Sequence, residues 1–310
     1  MIKIKNINWS KLHIYFFYLF LFSIPFQTRK VFLTQYSFYS SAFTEYTTFF
    51  IYASDIFLIL TLFFWLVFGG HKTKFNRNSL LRKIWLFLFV FIIWLIISAI
   101  ISEVLPFIGK DRGGNEYLEI SAFQIIKFIE LFLLLIYIYF NLTNKKTLLT
   151  SLFVISLTGF LQSLIAIYQF IFQQSLFNLP ILAKITGETT ISPQISGIAK
   201  IVVDSKKMVR AYGAFPHSNV LGGFLIFSII ISVYLLLEYK YTLLSRYKSD
   251  YIQFYNTKLK KSQIYIAISS LWIIAIFTQI TALLFTFSRS AWTGFVISVA
   301  VLLFLLYRIC

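Results

Sequence analysis

Apolar residues run along this chain in long, nearly uncharged blocks, and polar positions gather between them. Eight blocks stand out, at about 10–26, 49–68, 84–101, 121–140, 148–172, 218–238, 264–286 and 290–307. A bilayer core about 30 Å thick takes roughly 20 apolar residues as a helix, so each block predicts a membrane-spanning helix. The first is short and ends at Pro25. It follows Lys3, Lys5 and Lys11 as a signal peptide would, but no small-residue cleavage pattern comes after it, so it reads as an uncleaved span. The last two blocks cannot be one helix. At about 1.5 Å per residue, 264–307 would reach roughly 66 Å, twice the hydrocarbon thickness, and Phe287-Ser288-Arg289 is the polar break.

Composition sharpens the class. Hydrophobic residues make up 59% of the 310, charged residues only 13%, and mean hydropathy is +0.80. Soluble domains carry about 45–50% apolar and about 25% charged residues. A soluble fold could not hide this much apolar surface, and disorder, a collagen-like chain and a disulfide scaffold are excluded with it. The lone cysteine, Cys310, permits no intrachain disulfide or cysteine metal cluster. The expected fold is an all-α polytopic membrane protein, one transmembrane domain over 1–310.

The net charge of +17 resembles a nucleic-acid signal until it is placed on the spans. With a cytoplasmic N-terminus, seventeen of the 28 Lys and Arg fall inside, ten outside, and Lys127 within a span; seven of the eleven acidic residues fall outside. The positive-inside rule therefore gives N-in and C-in, and the charge is topological. No nucleic-acid partner is expected. The basic loop 69–83 reads as an orientation signal in contact with anionic lipid. Residues 173–217 form one long outside loop, polar, with Gly187, Pro193 and Gly197; loops of this length are usually functional or disordered.

The densest chemistry lies where that loop meets the sixth span, in Arg210-Ala-Tyr-Gly-Ala-Phe-Pro-His-Ser-Asn219. Gly213 and Pro216 are turn residues, and Ser218 or Asn219 reads as the helix N-cap. A helix start turns free N–H groups and a positive dipole end outward, which suits an anion. Arg210 adds a planar, permanently charged fork suited to phosphate, and Lys206 and Lys207 add charge. A second motif, Phe287-Ser288-Arg289-Ser290-Ala291-Trp292, places Arg289 just before the eighth span with Ser290 as its cap. Two arginines beside two helix N-termini on one side of the membrane make a pyrophosphate clamp. The bland alternative is that each arginine snorkels to lipid headgroups. His217, the one histidine in an outside segment, is either a general base or a hydrogen-bonding residue at the helix start.

Within the spans, Asp55, Lys127 and Glu130 are the costly residues. Lys127 and Glu130 stand i, i+3 on one face and can pair. All three fall in the outer half of their spans, which favours an ionic network supporting the outside face over proton or ion coupling. There is no metal-ligand pattern and no Gly-rich nucleotide loop. Asn141-Leu-Thr143 matches a glycosylation sequon but is short and cytoplasmic by this topology.

Taken together, Arg210-x-x-Gly213-x-Phe215-Pro216-His217-x-Asn219-x-Leu221-Gly222, a span, and then Ser288-Arg289-Ser290 resemble the O-antigen ligase/polymerase family. Ser54-Asp55, the Lys127-x-x-Glu130 face and the stretch from Gln162 to Gln169 are similar too, and the likeness runs from about residue 49 onward. The resemblance implies a GT-C-like glycosyltransferase of the bacterial plasma (inner) membrane. Such an enzyme takes a glycan from an undecaprenyl pyrophosphate carrier on the outer face and passes it to a glycolipid, polysaccharide or protein acceptor. It uses no nucleotide sugar, cofactor or obligatory metal. The family's pyrophosphate-holding arginines would map onto Arg210 and Arg289, supported by Asn219, Ser288, Ser290 and Gly213. Members of the family have about a dozen spans and a later outside loop with an essential histidine. The resemblance therefore implies either a C-terminally truncated chain, with the base downstream, or an inactive or divergent member; His217 belongs to a different motif.

Two rivals come from other classes. One is a transporter or flippase of an anionic lipid-linked substrate, which should show interrupted helices with polar groups near the midplane. Here the polar groups cluster toward one face and the Gly/Pro breaks sit at span ends, which favours outer-face chemistry. The other is a non-catalytic membrane component of polysaccharide assembly.

Overall fold

The structure is a computed structural model that describes residues 9–34, 37–39, 42–44, 47–69, 79–104, 115–176, 191–194, 197–203, 205–249 and 258–309. The tip of the basic loop at 70–78, His71 within it, Gly187 and Cys310 lie outside the described residues. The protein is mostly helical, and the apolar blocks become helices for the reason their composition gives. A backbone surrounded by lipid must satisfy its own N–H and C=O groups, and a helix does this within one segment.

Among the described residues five helices are long and apolar enough to cross a membrane, over Arg82–Ile101, Glu119–Asn141, Lys145–Phe172, Ser218–Tyr241 and Ile268–Phe285. Three of the eight expected spans are shorter apolar helices, Leu12–Ser23, Ala53–Phe68 and Arg289–Leu305. The chain clusters into two compact units, residues 1–20 with 29–145, and residues 21–28 with 146–310.

In the first unit, α1 (Leu12–Ser23) begins after a short 3-10 turn, and its last residues belong to the second unit. Two small antiparallel ladders follow. Strand β1 (Arg29–Phe32) pairs with β4 (Phe49–Tyr52), and β2 (Phe38–Tyr39) pairs with β3 (Ala42–Phe43). The expected span at 49–68 therefore opens with four residues of strand: Phe49-Phe-Ile-Tyr52 is aromatic and β-branched, which fits a pleated ribbon better than a helix. Helix α2 (Ala53–Phe64) starts only after Tyr52 and ends in a π turn at Trp65–Gly69. Helices α3 (Ser79–Val104) and α4 (Asn115–Asn141) pack on each other, and α2 packs on α4. Tyr137 of α4 is fully buried, with its hydroxyl 2.8 Å from His13 Nδ1 and Trp65 edge-on to its ring.

The second unit holds α5 (Lys145–Phe172), the ribbon β5 (Lys200–Val203) with β6 (Lys206–Val209), α6 (Ser218–Ser249), α7 (Lys258–Phe285) and α8 (Arg289–Ile309). The expected loop 173–217 is thus partly β-structure. Its core joins α5, α6, α7 and α8 through Ala166, Leu221, Leu225, Ile229, Ala282 and Ala291.

Helix contact in this unit depends on missing side chains and on hydroxyls. A Cβ at Gly159 of α5 would lie within the van der Waals shell of Ser228 of α6. Around that contact Ser156 and Ser232 share a 2.6 Å hydrogen bond, and Gln279 of α7 donates to Ser232 at 3.2 Å. Such small-residue and hydroxyl contacts hold helices together where lipid removes the hydrophobic drive. This fully buried seam lies mid-helix, so polar groups are not confined to one face as expected from sequence.

Candidate functional site

Two glutamines on one face of α5 and a third just past its end shape the site. Gln162, Gln169 and Gln173 follow at i, i+7 and i+11, so the first two lie two turns apart on the same stripe. Gln169 is fully buried. Its Oε1 accepts from the N–H groups of Tyr212 (3.1 Å) and Gly213 (2.7 Å), and its Nε2 donates to the Gly213 carbonyl at 2.8 Å. Gln162, also fully buried, accepts from Ala214 N–H at 2.8 Å and donates to the Pro25 carbonyl at 3.3 Å. Gln173 accepts from Val209 N–H at 2.6 Å. These amides take the place of a neighbouring strand, giving the buried 209–214 backbone the partners it needs.

Gly213 must be glycine on two counts. Its φ is +61°, and a Cβ there would stand 2.7 Å from Gln162 Oε1. On the other side of the segment, Ala211 N–H donates to the Phe285 carbonyl at 3.0 Å. The 209–214 segment is thereby clamped between the ends of α5 and α7.

Arg210 leaves this clamp with a fixed guanidinium. Nε donates to the Thr286 carbonyl at 2.5 Å and Nη2 to Asn219 Oδ1 at 2.8 Å. Among the described residues no carboxylate pairs with it; its partners are the Thr286 carbonyl and Asn219. Burial draws the Arg210 guanidinium below its usual pKa, with Tyr212 acting in the opposite sense. A half-buried cation with spare N–H groups and no acid beside it is electrostatically completed by an anion.

The N-termini of α6 and α8 meet beside it. A Cβ at Gly222 would stand 2.7 Å from Ala291 Cβ, so only glycine allows this approach. Both caps differ from the sequence expectation. His217, not Ser218 or Asn219, caps α6: its Nδ1 accepts Asn219 N–H at 3.1 Å, and its carbonyl accepts from Val220 and Leu221. Ser288, not Ser290, caps α8, accepting Ala291 N–H at 3.3 Å. Arg289 is therefore the first residue of α8 and is exposed, and Ser290 Oγ lies 3.2 Å from Ser288 Oγ. The tight turn before α8 needs Phe287 at φ +47°, a left-handed backbone held by ring contacts to Phe170 and Trp292. The N–H groups of Arg289 and Ser290 have no acceptor among the described residues, and neither does the fully buried Ser218 hydroxyl.

The cap changes the reading of His217. With Nδ1 accepting a hydrogen bond, the proton of the neutral ring sits on Nε2, so its free nitrogen is a donor and not a base. Lys206 and Lys207 are exposed on β6, three and four residues before Arg210, about 10–14 Å away along an extended strand. Of the expected anion-site residues, the structure joins Arg210, Asn219, Gly213, Ser288, Ser290 and Arg289 in one hydrogen-bonded and packed region, and leaves the two lysines on the ribbon.

Asp55, Lys127 and Glu130 form a separate cluster in the first unit. Lys127 Nζ pairs with Asp55 and, at 3.2 Å, with Glu130. Asp55 also accepts Tyr52 N–H at 2.9 Å, which ties the start of α2 to α4. Glu130 Oε1 is buried without a partner among the described residues.

Gln173 and the Thr286 carbonyl carried no sequence signal of their own. Gly222, Gln162 and Gln169 were visible only through the family likeness. A rule that a buried glutamine on an apolar helix needs a backbone partner would have found Gln162 and Gln169, but not the half-buried Gln173 past the helix end. Among the described residues no group of three His, Cys, Asp or Glu side chains is placed to hold a metal. No protein-family model, no curated protein and no solved structure matches the chain.

Proposed function

We propose that this protein is a metal-independent membrane glycosyltransferase of the O-antigen ligase/polymerase type, moving a glycan from an undecaprenyl pyrophosphate carrier to an acceptor hydroxyl. In this reading eight helices cross the bacterial plasma membrane, the N-terminus is cytoplasmic, the fold is GT-C-like, and the 173–217 segment faces outward. One observation carries it. Arg210, tied to Thr286 and Asn219 and lacking a carboxylate, sits at the joined starts of α6 and α8, where Arg289 and unused N–H groups add positive potential. A helix start favours an anion by about 0.3–1 kcal/mol and up to about 2 when partly buried, and charge-assisted hydrogen bonds are about twice as strong as neutral ones.

The reaction is a displacement at the anomeric carbon. The acceptor oxygen bonds to that carbon, the bond from carbon to the carrier's phosphate oxygen breaks, and undecaprenyl pyrophosphate leaves with the electron pair. Arg210 and Arg289 hold the charge that grows on the leaving group. The acceptor's proton passes to a base that is not the cap-bound His217.

Membranes carrying the chain and a lipid-linked glycan with radiolabelled sugar test this. Label should leave the lipid fraction and appear on acceptor. Arg289→Ala should abolish transfer with unchanged thermal unfolding, because the exposed Arg289 side chain has no partner among the described residues. Normal transfer by the Arg210→Ala, Arg289→Ala double variant overturns the assignment. Label that crosses vesicles without transfer assigns a transporter, and binding with neither assigns a non-catalytic assembly component.

A further inference from the structure

Between α1 and α2 the chain forms the two ribbons β1–β4 and β2–β3, and their composition suits neither an aqueous loop nor a buried core. Nine of the 26 residues from 27 to 52 are aromatic, against two cations, Arg29 and Lys30, and one acid, Glu45. The register places Lys30 opposite Ile51 and Phe32 opposite Phe49, so these four share one face of the larger ribbon. Phe49 packs edge-on against Phe123 of α4, while Lys30, Ile51 and Phe32 are exposed. Leu33, just past β1, is 64% exposed; Phe38 and Phe43, paired across the small ribbon, are 50% and 46% exposed. On the opposite face of β1–β4 Phe50 is buried, with the Arg29 guanidinium 4.3 Å above its ring, while Val31 across from it is exposed.

We propose that this double ribbon is an interfacial anchor whose partner is the lipid surface: Phe32, Leu33, Phe38, Phe43 and Ile51 enter the boundary of headgroups and acyl chains, and Lys30 meets lipid phosphates. Three features select lipid over a protein partner. The apolar face carries one cation, the exposed Lys30, and a cation complements phosphate. Lys30 Nζ stays 5.3 Å from the Phe32 ring, an arrangement in which the stem lies with the apolar surface and the charge reaches the headgroups. Strand β4 also runs straight into α2, since Tyr52 is at once its last residue and the N-cap of that apolar helix. Aromatic residues at such a junction favour the membrane interface. Backbone chemistry limits the depth. A two-stranded ribbon has open edges whose N–H and C=O groups need water, so it cannot enter the hydrocarbon core.

The test uses the full chain with Cys310→Ser and a nitroxide at Leu33→Cys or, independently, Phe43→Cys, reconstituted in vesicles of phosphatidylglycerol and phosphatidylethanolamine. Relaxation by oxygen is compared with relaxation by a water-soluble nickel complex, with spin-labelled lipids as depth standards. Both labels should report about 5–10 Å below the phosphates, and the Lys30→Gln variant should move them outward. Labels as open to nickel as free spin label in water overturn the proposal. So do labels shielded from both reagents or coupled to one another, which would assign the face to protein or to a second copy. Two positions on separate ribbons keep the test decisive if one substitution disturbs folding.

Discussion

Lys127 in the first unit and Gln169 in the second each tie polar groups together in apolar surroundings, by different means. Lys127 stands between Asp55 and Glu130, one cation against two carboxylates. Its side chain and both partners keep some solvent contact, at 27%, 16% and 13% exposure. Gln169 is neutral and fully buried, and its amide binds backbone: two N–H groups and one carbonyl. Burying an amide with all its hydrogen bonds made costs little, whereas a buried ion pair recovers its desolvation only with good geometry. The charged device therefore stays near solvent and joins two helices. The neutral one can sit deep and hold a loop in place, leaving the charge of Arg210 unspent.

The widest separation between helix contact and site chemistry comes from the glycine of α5. Gly159→Ala should destabilise by about 1–3 kcal/mol or more, the range for overpacking, read as a lower unfolding midpoint in detergent. Pairing it with Ser228→Gly, which removes the atoms a new Cβ would strike, should return much of the loss. Full stability in the single variant would show that α5 and α6 do not need this approach.

Next in size is Gln169→Leu. It strands the N–H groups of Tyr212 and Gly213 and the Gly213 carbonyl, at about 1–3 kcal/mol for each buried group left unmade. Transfer should fall with it, because Arg210 is the residue before Ala211 in the same clamped segment. Transfer at the parental level in a protein with a lowered unfolding midpoint would separate the clamp from the site.

In the first unit Lys127→Met leaves two carboxylates facing each other. A loss of about 1.5–3 kcal/mol is expected, the size of hydrogen bonds to charged groups. Adding Asp55→Asn should recover part of it in a double-mutant cycle. Additive losses would mean that the ion pair contributes nothing of its own.

The smallest effect belongs to His217. Asparagine caps helices well and alanine poorly, so His217→Asn should stay near parental stability and His217→Ala should lose about 0.5–2 kcal/mol. Both should retain transfer wherever the helix start is intact. Abolished transfer in a fully stable His217→Asn would make the ring a participant in the chemistry.

Much of the fold was legible in the run of apolar residues. A helix in lipid is specified by length and apolarity, which are local properties, and the blocks at 84–101, 121–140, 148–172 and 218–238 fall inside α3 to α6. The blocks whose ends were misjudged are those where aromatic strand formers adjoin a span. Phe49–Tyr52 is as apolar as the helix after it, and hydropathy cannot tell the two apart. The ribbon in 173–217 was hidden in a segment read only as polar loop.

The candidate site divides in the same way. Residue type alone marks Arg210, Arg289 and the flanking Gly213 and Asn219, because a permanent cation next to turn and capping residues is rare in so apolar a chain. Which atoms those residues meet depends on partners far along the sequence: Gln169 lies 44 positions from Gly213, and Thr286 lies 76 from Arg210. Caps are decided by a single backbone turn, so His217 and Ser288 took the places expected of their neighbours. Helix formation is governed by the chemistry of each segment and the lipid around it, and can be read one segment at a time. The meeting of α6 and α8 at Gly222, the amides of α5 under the loop, and the unpaired charge of Arg210 arise only when helices pack, since each is a relation between surfaces that no single segment contains.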